Sequence, residues 1–162
     1  MMRKLTEKGL RRLIREEIQL LTESTRSQIG YIDKGGRIVS TYVHYDGYPK
    51  GVGKIAKNYY GGGRVKKLLA IDKGAGISVL DKDMNGGPGH TFNNPIEGQT
   101  VFYGRDRGEK EKMGLMGKLD DVAKYIKRAA SQMDAEYVYL YNEKDGKWYW
   151  AKTAIHKELM PL

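Results

Sequence analysis

The last part of the chain constrains the fold most strongly, because its side chains alternate as they do in a β-hairpin. Residues 136–142 (EYVYLYN) carry a tyrosine at every second position, and residues 147–152 (KWYWAK) continue the alternation with Trp148 and Trp150. Successive side chains of a strand point to opposite faces of a sheet, so each strand presents one aromatic face. Residues 143–146 (EKDG), between the two segments, predict the turn.

A second hairpin is predicted near the beginning of the chain. Residues 29–33 and 37–45 have the composition of strands, and the Gly-Gly pair between them tolerates the positive φ of a tight turn. Further short strands are expected at residues 77–80 and 100–103.

Apolar residues recur at three- and four-residue spacing in residues 49–60 and 118–133, which predicts helices there. Residues 64–71 fit either a short helix or a strand, and their spacing favours the helix. In the helix over residues 118–133 the predicted buried positions are Leu119, Val122, Ala123, Ile126, Ala130 and Met133. The predicted fold class is α+β: an antiparallel sheet built from hairpins, with two amphipathic helices packed on one face, plus an N-terminal helix.

The first residues form a separate unit in this prediction. Residues 1–23 contain an amphipathic helix, residues 24–28 (STRSQ) have the polar composition of a linker, and residues 29–162 are expected to form a single α+β domain. No apolar run approaches the ~18 residues of a membrane span, so no membrane partner is expected.

The charge balance favours a polyanionic partner. The 162 residues include 29 basic and 20 acidic side chains, which gives a net charge of +9. Such an excess favours contact with nucleic acid, and non-specific nucleic-acid binding is one prediction. Acidic residues are interleaved with the basic ones throughout, so no single segment marks the binding surface.

The first candidate site motif is VHYDGYP. His44 and Asp46 project from the same face of the predicted strand, and Tyr48 follows them. A histidine beside a carboxylate can act as a general base or help to hold a metal ion. The alternative is structural, with Asp46 capping the helix that follows.

The second candidate motif is FYGRDRGE. Arg105 and Arg107 flank Asp106 at the end of a predicted strand, and Glu109 follows. Arginine binds phosphate or carboxylate through two parallel hydrogen bonds, and a neighbouring carboxylate can position it. A surface cluster of ion pairs is the alternative for this segment.

Three segments resemble, in the same order, a group of small tailed-bacteriophage proteins that have an HWDGYP-like turn, a YxRDRGE-like segment and a YVYLY…W hairpin. They are residues 42–60, 100–109 and 136–150, and Tyr45 stands where the group often has tryptophan. The resemblance implies that eight residues belong to one shared feature, either a site or a structural element. These are His44, Asp46, Gly47, Tyr48, Arg105, Asp106, Arg107 and Glu109.

The N-terminal helix resembles the capsid-targeting peptides of proteins packaged inside the heads of large contractile-tailed phages. The head protease of such phages cuts after a Leu/Ile-x-Glu tripeptide, and Leu21-Thr22-Glu23 fits that pattern. The resemblance therefore implies processing between Glu23 and Ser24. An ordinary helix that docks on the domain or mediates oligomerisation is the alternative.

These features predict a phage accessory protein that binds a host protein or a phosphate-containing small molecule in the host cytoplasm, for counter-defence or host takeover. Packaging in the virion interior followed by injection belongs to the same prediction, and no cofactor is expected. Two alternatives stay open. One is a small metal-dependent hydrolase or nuclease that uses His44 and neighbouring carboxylates, and the other is a basic DNA-associated protein of the head interior.

Overall fold

The structure is a computed structural model that describes residues 6–11 and 24–162. Residues 7–11 form a turn of the predicted N-terminal helix, and the rest of that helix, with Glu23, lies outside the described residues. Ser24 precedes the first strand with a φ of 30°. That strand begins at Ser27, so Ser27 and Gln28, which the sequence assigned to a linker, are buried in the sheet.

Eight strands in the described part of the chain form one mixed sheet. Seven of them lie in the order β4-β3-β2-β1-β6-β7-β8, and β5 pairs with β2 beside that path. Their bounds are β1 (Ser27–Ile32), β2 (Arg37–Val43), β3 (Ile77–Val79), β4 (Val101–Phe102), β5 (Leu115–Lys118), β6 (Tyr137–Asn142), β7 (Lys147–Lys152) and β8 (Met160–Pro161).

Short helices connect the strands. Their bounds are a π-helical turn (Pro49–Gly53), α1 (Lys54–Tyr59), α2 (Arg64–Asp72), α3 (Tyr103–Arg107), a 3-10 turn (Leu119–Asp121) and α4 (Val122–Met133). Among the described residues, no helix combines the length and the apolar character that crossing a bilayer requires.

The α+β class is confirmed, and so are both predicted hairpins, but the sheet is mixed and not antiparallel throughout. β1 pairs antiparallel with β2 and β6 pairs antiparallel with β7, as expected from the local patterns. However, β1 and β6 run parallel, and β2 and β3 do so as well. A parallel pair needs a long crossover connection, and α4 lies in the connection that leads into β6.

Helices cover both faces of the sheet, so the prediction that they pack on one face is wrong. On one face, Val52, Ala56 and Leu68 from the α1–α2 region pack with Tyr139 of β6. On the other face, Ile126 and Ala129 of α4 pack with residues of the same strand that point the opposite way, Val138 and Leu140. Because β6 is covered on both faces, its tyrosines and its aliphatic residues belong to two separate cores.

The buried face of α4 differs from the predicted one. β5 continues to Lys118 and a 3-10 turn follows, so α4 begins only at Val122. Leu119 is 40% exposed and Ala123 is also exposed, whereas Tyr125 is 1% exposed. The Tyr125 hydroxyl donates a hydrogen bond of 2.7 Å to Ser40 of β2, which satisfies its polar atom inside the core. Similarly, Tyr60 is the buried aromatic residue after α1, whereas its neighbour Tyr59 is 43% exposed.

Gly30 in the centre of the sheet is required by a close approach of two strands. It lies opposite Ser40 in the β1–β2 register. A Cβ atom at this position would come within 1.9 Å of the Val39 carbonyl oxygen and within 2.8 Å of the Ser40 Cβ atom. The backbone of Val39 cannot yield without breaking the ladder, so only glycine fits here.

We predict that Gly30→Ala lowers the free energy of unfolding by about 3 kcal/mol, because the extra methyl group overpacks the sheet. Gly61→Ala is the matched control, since a Cβ atom there meets no atom within 4 Å, and its effect is expected to stay within about 1 kcal/mol. Urea denaturation of both variants measures the two values. Equal effects of the two substitutions would contradict the assignment of Gly30 as a close-contact position.

Candidate functional site

His44 lies at the end of β2 in a small aromatic cluster. Its ring is 4.5 Å from the Tyr45 ring and 6.4 Å from the Tyr103 ring, measured between centroids. Its Nδ1 atom is 2.6 Å from the Tyr42 hydroxyl. Burial, and then the positive charge of Arg26, lower the pKa of His44, while burial raises the pKa of Tyr42 to about 12. Both groups are therefore neutral near pH 7, and they share one hydrogen bond.

The Asp46-Gly47-Tyr48 turn follows β2, and hydrogen bonds hold it to Thr25, just before β1, and to Tyr139 of β6. Asp46 has a φ of 56°, and its carbonyl oxygen accepts the N–H of Val52 at 2.8 Å. The N–H of Gly47 donates to Thr25 at 2.8 Å, and its carbonyl oxygen accepts the buried Tyr139 hydroxyl at 2.6 Å. The Asp46 side chain accepts a hydrogen bond from the Tyr48 hydroxyl at 3.2 Å and caps no helix terminus.

Arg105 fastens the long loop of residues 80–100 to α3. Its guanidinium donates to the carbonyl oxygens of Met84 at 2.5 Å and of Thr100 at 3.2 Å. It also lies 4.5 Å from the centre of the Phe102 ring. Because the guanidinium already contacts both carbonyl oxygens and the Phe102 ring, we assign it the role of holding the loop in place.

Asp106 is the buried acceptor of this arrangement. Its side chain is 5% exposed, and its carboxylate accepts hydrogen bonds from Arg105 at 2.9 Å and from the Phe102 N–H at 2.8 Å. The His90 Nε2 atom lies 3.2 Å from the carboxylate, and the His90 Nδ1 atom accepts the Ile96 N–H at 3.1 Å. Because Nδ1 is an acceptor, Nε2 carries the proton and donates to Asp106.

Arg107 is more accessible than Arg105 and carries its own counter-charge. Its side chain is 47% exposed, and its guanidinium lies 4.2 Å from the centre of the Phe92 ring and 5.1 Å from that of Tyr103. The guanidinium donates from Nε and Nη2 to one Glu109 oxygen, the Nε contact being 2.8 Å. Each arginine of the motif is thus neutralised by a carboxylate of the same motif.

In the described part of the chain, the two predicted site motifs approach each other where His44 and Tyr103 form an edge-to-face aromatic pair. The His44 and Tyr103 rings touch, but within the described part of the chain no hydrogen bond or ion pair links Asp46 or Tyr48 to Arg105 or Arg107. Across residues 6–11 and 24–162, no group of three His, Asp or Glu side chains is arranged to hold a metal ion.

A different region has the charge pattern of an anion site. A groove of about 1080 Å³ lies between the β1–β2 turn, β5, α4 and the β6–β7 turn, and we call it the basic groove. The basic residues that line it are Lys34, Arg37, Lys118, Lys124, Arg128 and Lys144. The acidic residues that line it are Asp33, Asp120 and Asp121, so its lining carries a net charge of 6 − 3 = +3.

The basic side chains of the groove are only partly compensated within the described structure: three aspartates line the same groove, and Arg128 donates a hydrogen bond of 2.9 Å to the Met116 carbonyl oxygen. None of its six basic side chains forms an ion pair with another described residue. Arg37 and Lys118 are direct partners in the antiparallel β2–β5 register, where like charges repel. Asp33 is already an acceptor for the N–H groups of Gly35 and Arg37. The lining of the groove therefore keeps a net positive charge, which favours anions near it.

Sequence reasoning missed the basic groove because its residues come from three separate stretches of the chain, residues 33–37, 116–128 and 142–144. In each stretch the basic residues are interspersed with acidic ones, and only the folded chain brings the three stretches together. Lys124 and Arg128 are the partial exception, since a spacing of four residues places both on one side of a helix. The net charge of +9 was the one global signal.

Comparisons with known proteins do not add to this geometry: no protein-family model, no curated protein and no solved structure matches the chain.

We predict that Arg105→Ala lowers the free energy of unfolding by about 2 kcal/mol, because it leaves the buried Asp106 carboxylate and two carbonyl oxygens without a charged donor. Arg107→Ala removes a half-exposed ion pair and the contacts of the guanidinium with the Phe92 and Tyr103 rings, so its effect is expected to be smaller, about 1 kcal/mol. Thermal and urea denaturation compare the two variants. A larger loss for Arg107→Ala would contradict the structural assignment of Arg105.

The lowered pKa of Asp106 predicts how the stability of the fold depends on pH. Burial raises its pKa, but the hydrogen bonds from Arg105, the Phe102 N–H and His90 outweigh burial and hold the pKa below its ordinary value. A depressed pKa stabilises the fold above the unfolded value of about 3.9, and this contribution is lost as the pH falls through the folded pKa. The stability deficit of Asp106→Asn should therefore be largest near neutral pH and shrink below about pH 4. A deficit that is constant from pH 7 to pH 3 would contradict this.

Proposed function

We propose that this protein binds a phosphate-containing ligand in the basic groove, as an accessory protein of the phage type that the sequence resembles. In that setting the ligand belongs to the host, and binding serves counter-defence or host takeover. The class of ligand is the one expected from the sequence, but the binding site is the basic groove and not the Arg105–Glu109 segment.

One observation carries the proposal: the six basic residues of the groove have no carboxylate partner among the described residues, whereas Arg105 and Arg107 each have one. A charge that is already paired gains little from a second anion, because the ligand must displace the first. An unpaired cation at the rim of a groove attracts an anion at long range and forms a charge-assisted hydrogen bond on contact.

Titration calorimetry with inorganic tripolyphosphate tests the proposal. The probe carries several phosphates and no base, so it isolates the recognition of charge. We expect Lys118→Glu/Lys124→Glu to weaken binding by at least about tenfold, because two charge-assisted contacts become repulsive.

The matched control is Lys50→Glu/Lys110→Glu, which makes the same change in net charge at two exposed lysines outside the groove. Its affinity should stay within about twofold of the original, since distant surface charges are screened. Equal weakening by both pairs would show that the probe senses only the net charge, and an absence of binding would contradict the proposal directly.

The single substitution Lys118→Glu should raise stability while it weakens binding. It turns the like-charged pair Arg37–Lys118 into an opposite-charged cross-strand pair, which is worth about 0.5 kcal/mol. A gain in the free energy of unfolding together with a loss of tripolyphosphate affinity is the expected result. A loss of stability would contradict the repulsion that we assign to this pair.

A further inference from the structure

The size of the basic groove exceeds what a single phosphate group needs. Its volume is about 1080 Å³, and sites for small molecules usually measure about 300–1,000 Å³. Its six basic residues are spread over the β1–β2 turn, β5, α4 and the β6–β7 turn, with at most two on any one of these elements. A distributed set of cations matches a ligand whose phosphates are also distributed along a length.

The groove lining offers no surface on which an unstacked base could stack. Tyr125 is the one aromatic residue among the lining residues, and it is 1% exposed with its hydroxyl bonded to Ser40. Proteins that bind single strands combine a basic groove with exposed aromatic rings. Bases in a duplex stack on each other and need no such ring.

Exposed apolar side chains lie beside the cations. Met116 is 53% exposed and Leu119 is 40% exposed, and both line the groove. Side chains of this kind pack against the sugar groups of a backbone without distinguishing one base from another. Recognition in the groove would therefore depend on the backbone and little on the sequence.

Resting on the proposed function, we infer that the ligand of the basic groove is the sugar–phosphate backbone of a nucleic-acid duplex, bound without readout of the bases. Each basic side chain that meets a phosphate releases a condensed counterion, so affinity falls steeply with salt. If four of the six basic residues reach phosphates, the slope of log K against log salt concentration is about −3.6.

Fluorescence anisotropy with a labelled 16-base-pair DNA duplex, between 50 and 200 mM salt, measures that slope on the full chain. We expect a slope of about −3 to −5 for the original protein, and similar affinities for two duplexes of unrelated sequence. The corresponding single strand should bind more weakly, because the groove has no stacking surface.

Substitutions that replace a lysine by the uncharged glutamine show which lysines contact the phosphates of the duplex. Lys118→Gln/Lys124→Gln should reduce the magnitude of the slope by about 2, and Lys50→Gln/Lys110→Gln should leave it unchanged. Circular dichroism spectra of both pairs establish that the variants are folded. An unchanged slope for the groove pair would show that the duplex binds elsewhere on the basic surface and would overturn the inference.

The remaining outcomes separate the inference from the proposed function. Binding of tripolyphosphate without binding of the duplex, or a single strand that binds as tightly as the duplex, would overturn the inference and leave the groove as a phosphate site. Failure of both tripolyphosphate and duplex to bind would overturn the two together. A duplex that binds with the expected slope, and that loses about two contacts in the groove variant, supports both.

Discussion

The parallel pairing of β1 with β6 is the constraint on which the rest of the structure depends. It joins the hairpin at the start of the domain to the hairpin at its end through six register pairs. The connection into β6 has to cross the sheet, and α4 therefore packs on the face opposite to α1 and α2. The Asp46-Gly47-Tyr48 turn is tied to the same region through the buried bond from the Tyr139 hydroxyl to Gly47. The basic groove exists because α4 lies beside the β2–β5 edge.

The distribution of counter-charges separates structural from ligand-binding residues in this molecule. Arg105 and Asp106 form a buried pair that fastens a long loop, and Arg107 is neutralised by Glu109. The charges of the Arg105–Glu109 segment are therefore largely neutralised by other residues of the same segment. The basic residues of the groove are individually inconspicuous, but within the described structure none of them forms an ion pair, and the lining keeps a net positive charge. Repulsion between Arg37 and Lys118 is a cost that an anionic ligand would relieve.

Local patterns predicted the parts of the fold that depend on neighbours in sequence. The alternation in residues 136–142 and 147–152 predicted β6 and β7 together with their aromatic face. The spacing in residues 64–71 favoured the helix α2. The parallel pairs could not be predicted in this way, because the paired residues are 110 apart in sequence for β1 and β6 (Ser27 and Tyr137) and 34 apart for β2 and β3 (Val43 and Ile77). The Arg105–Glu109 segment was singled out correctly as unusual, but only the folded chain shows that Asp106 accepts hydrogen bonds from His90 and from its own helix start. The groove depends on tertiary contacts between three separate stretches of the chain, and the periodicity of a sequence carries no information on such contacts.

The central claim is that the basic groove, and not the Arg105–Glu109 segment, is where the protein meets phosphate. The most direct measurement is a titration of inorganic tripolyphosphate followed by ¹H–¹⁵N correlation spectra of the full chain. The account predicts that the amide shifts concentrate in the residues that line the groove, around Lys34–Arg37, Met116–Lys124 and Lys144. Shifts centred on residues 103–109, or spread evenly over the surface, would contradict it.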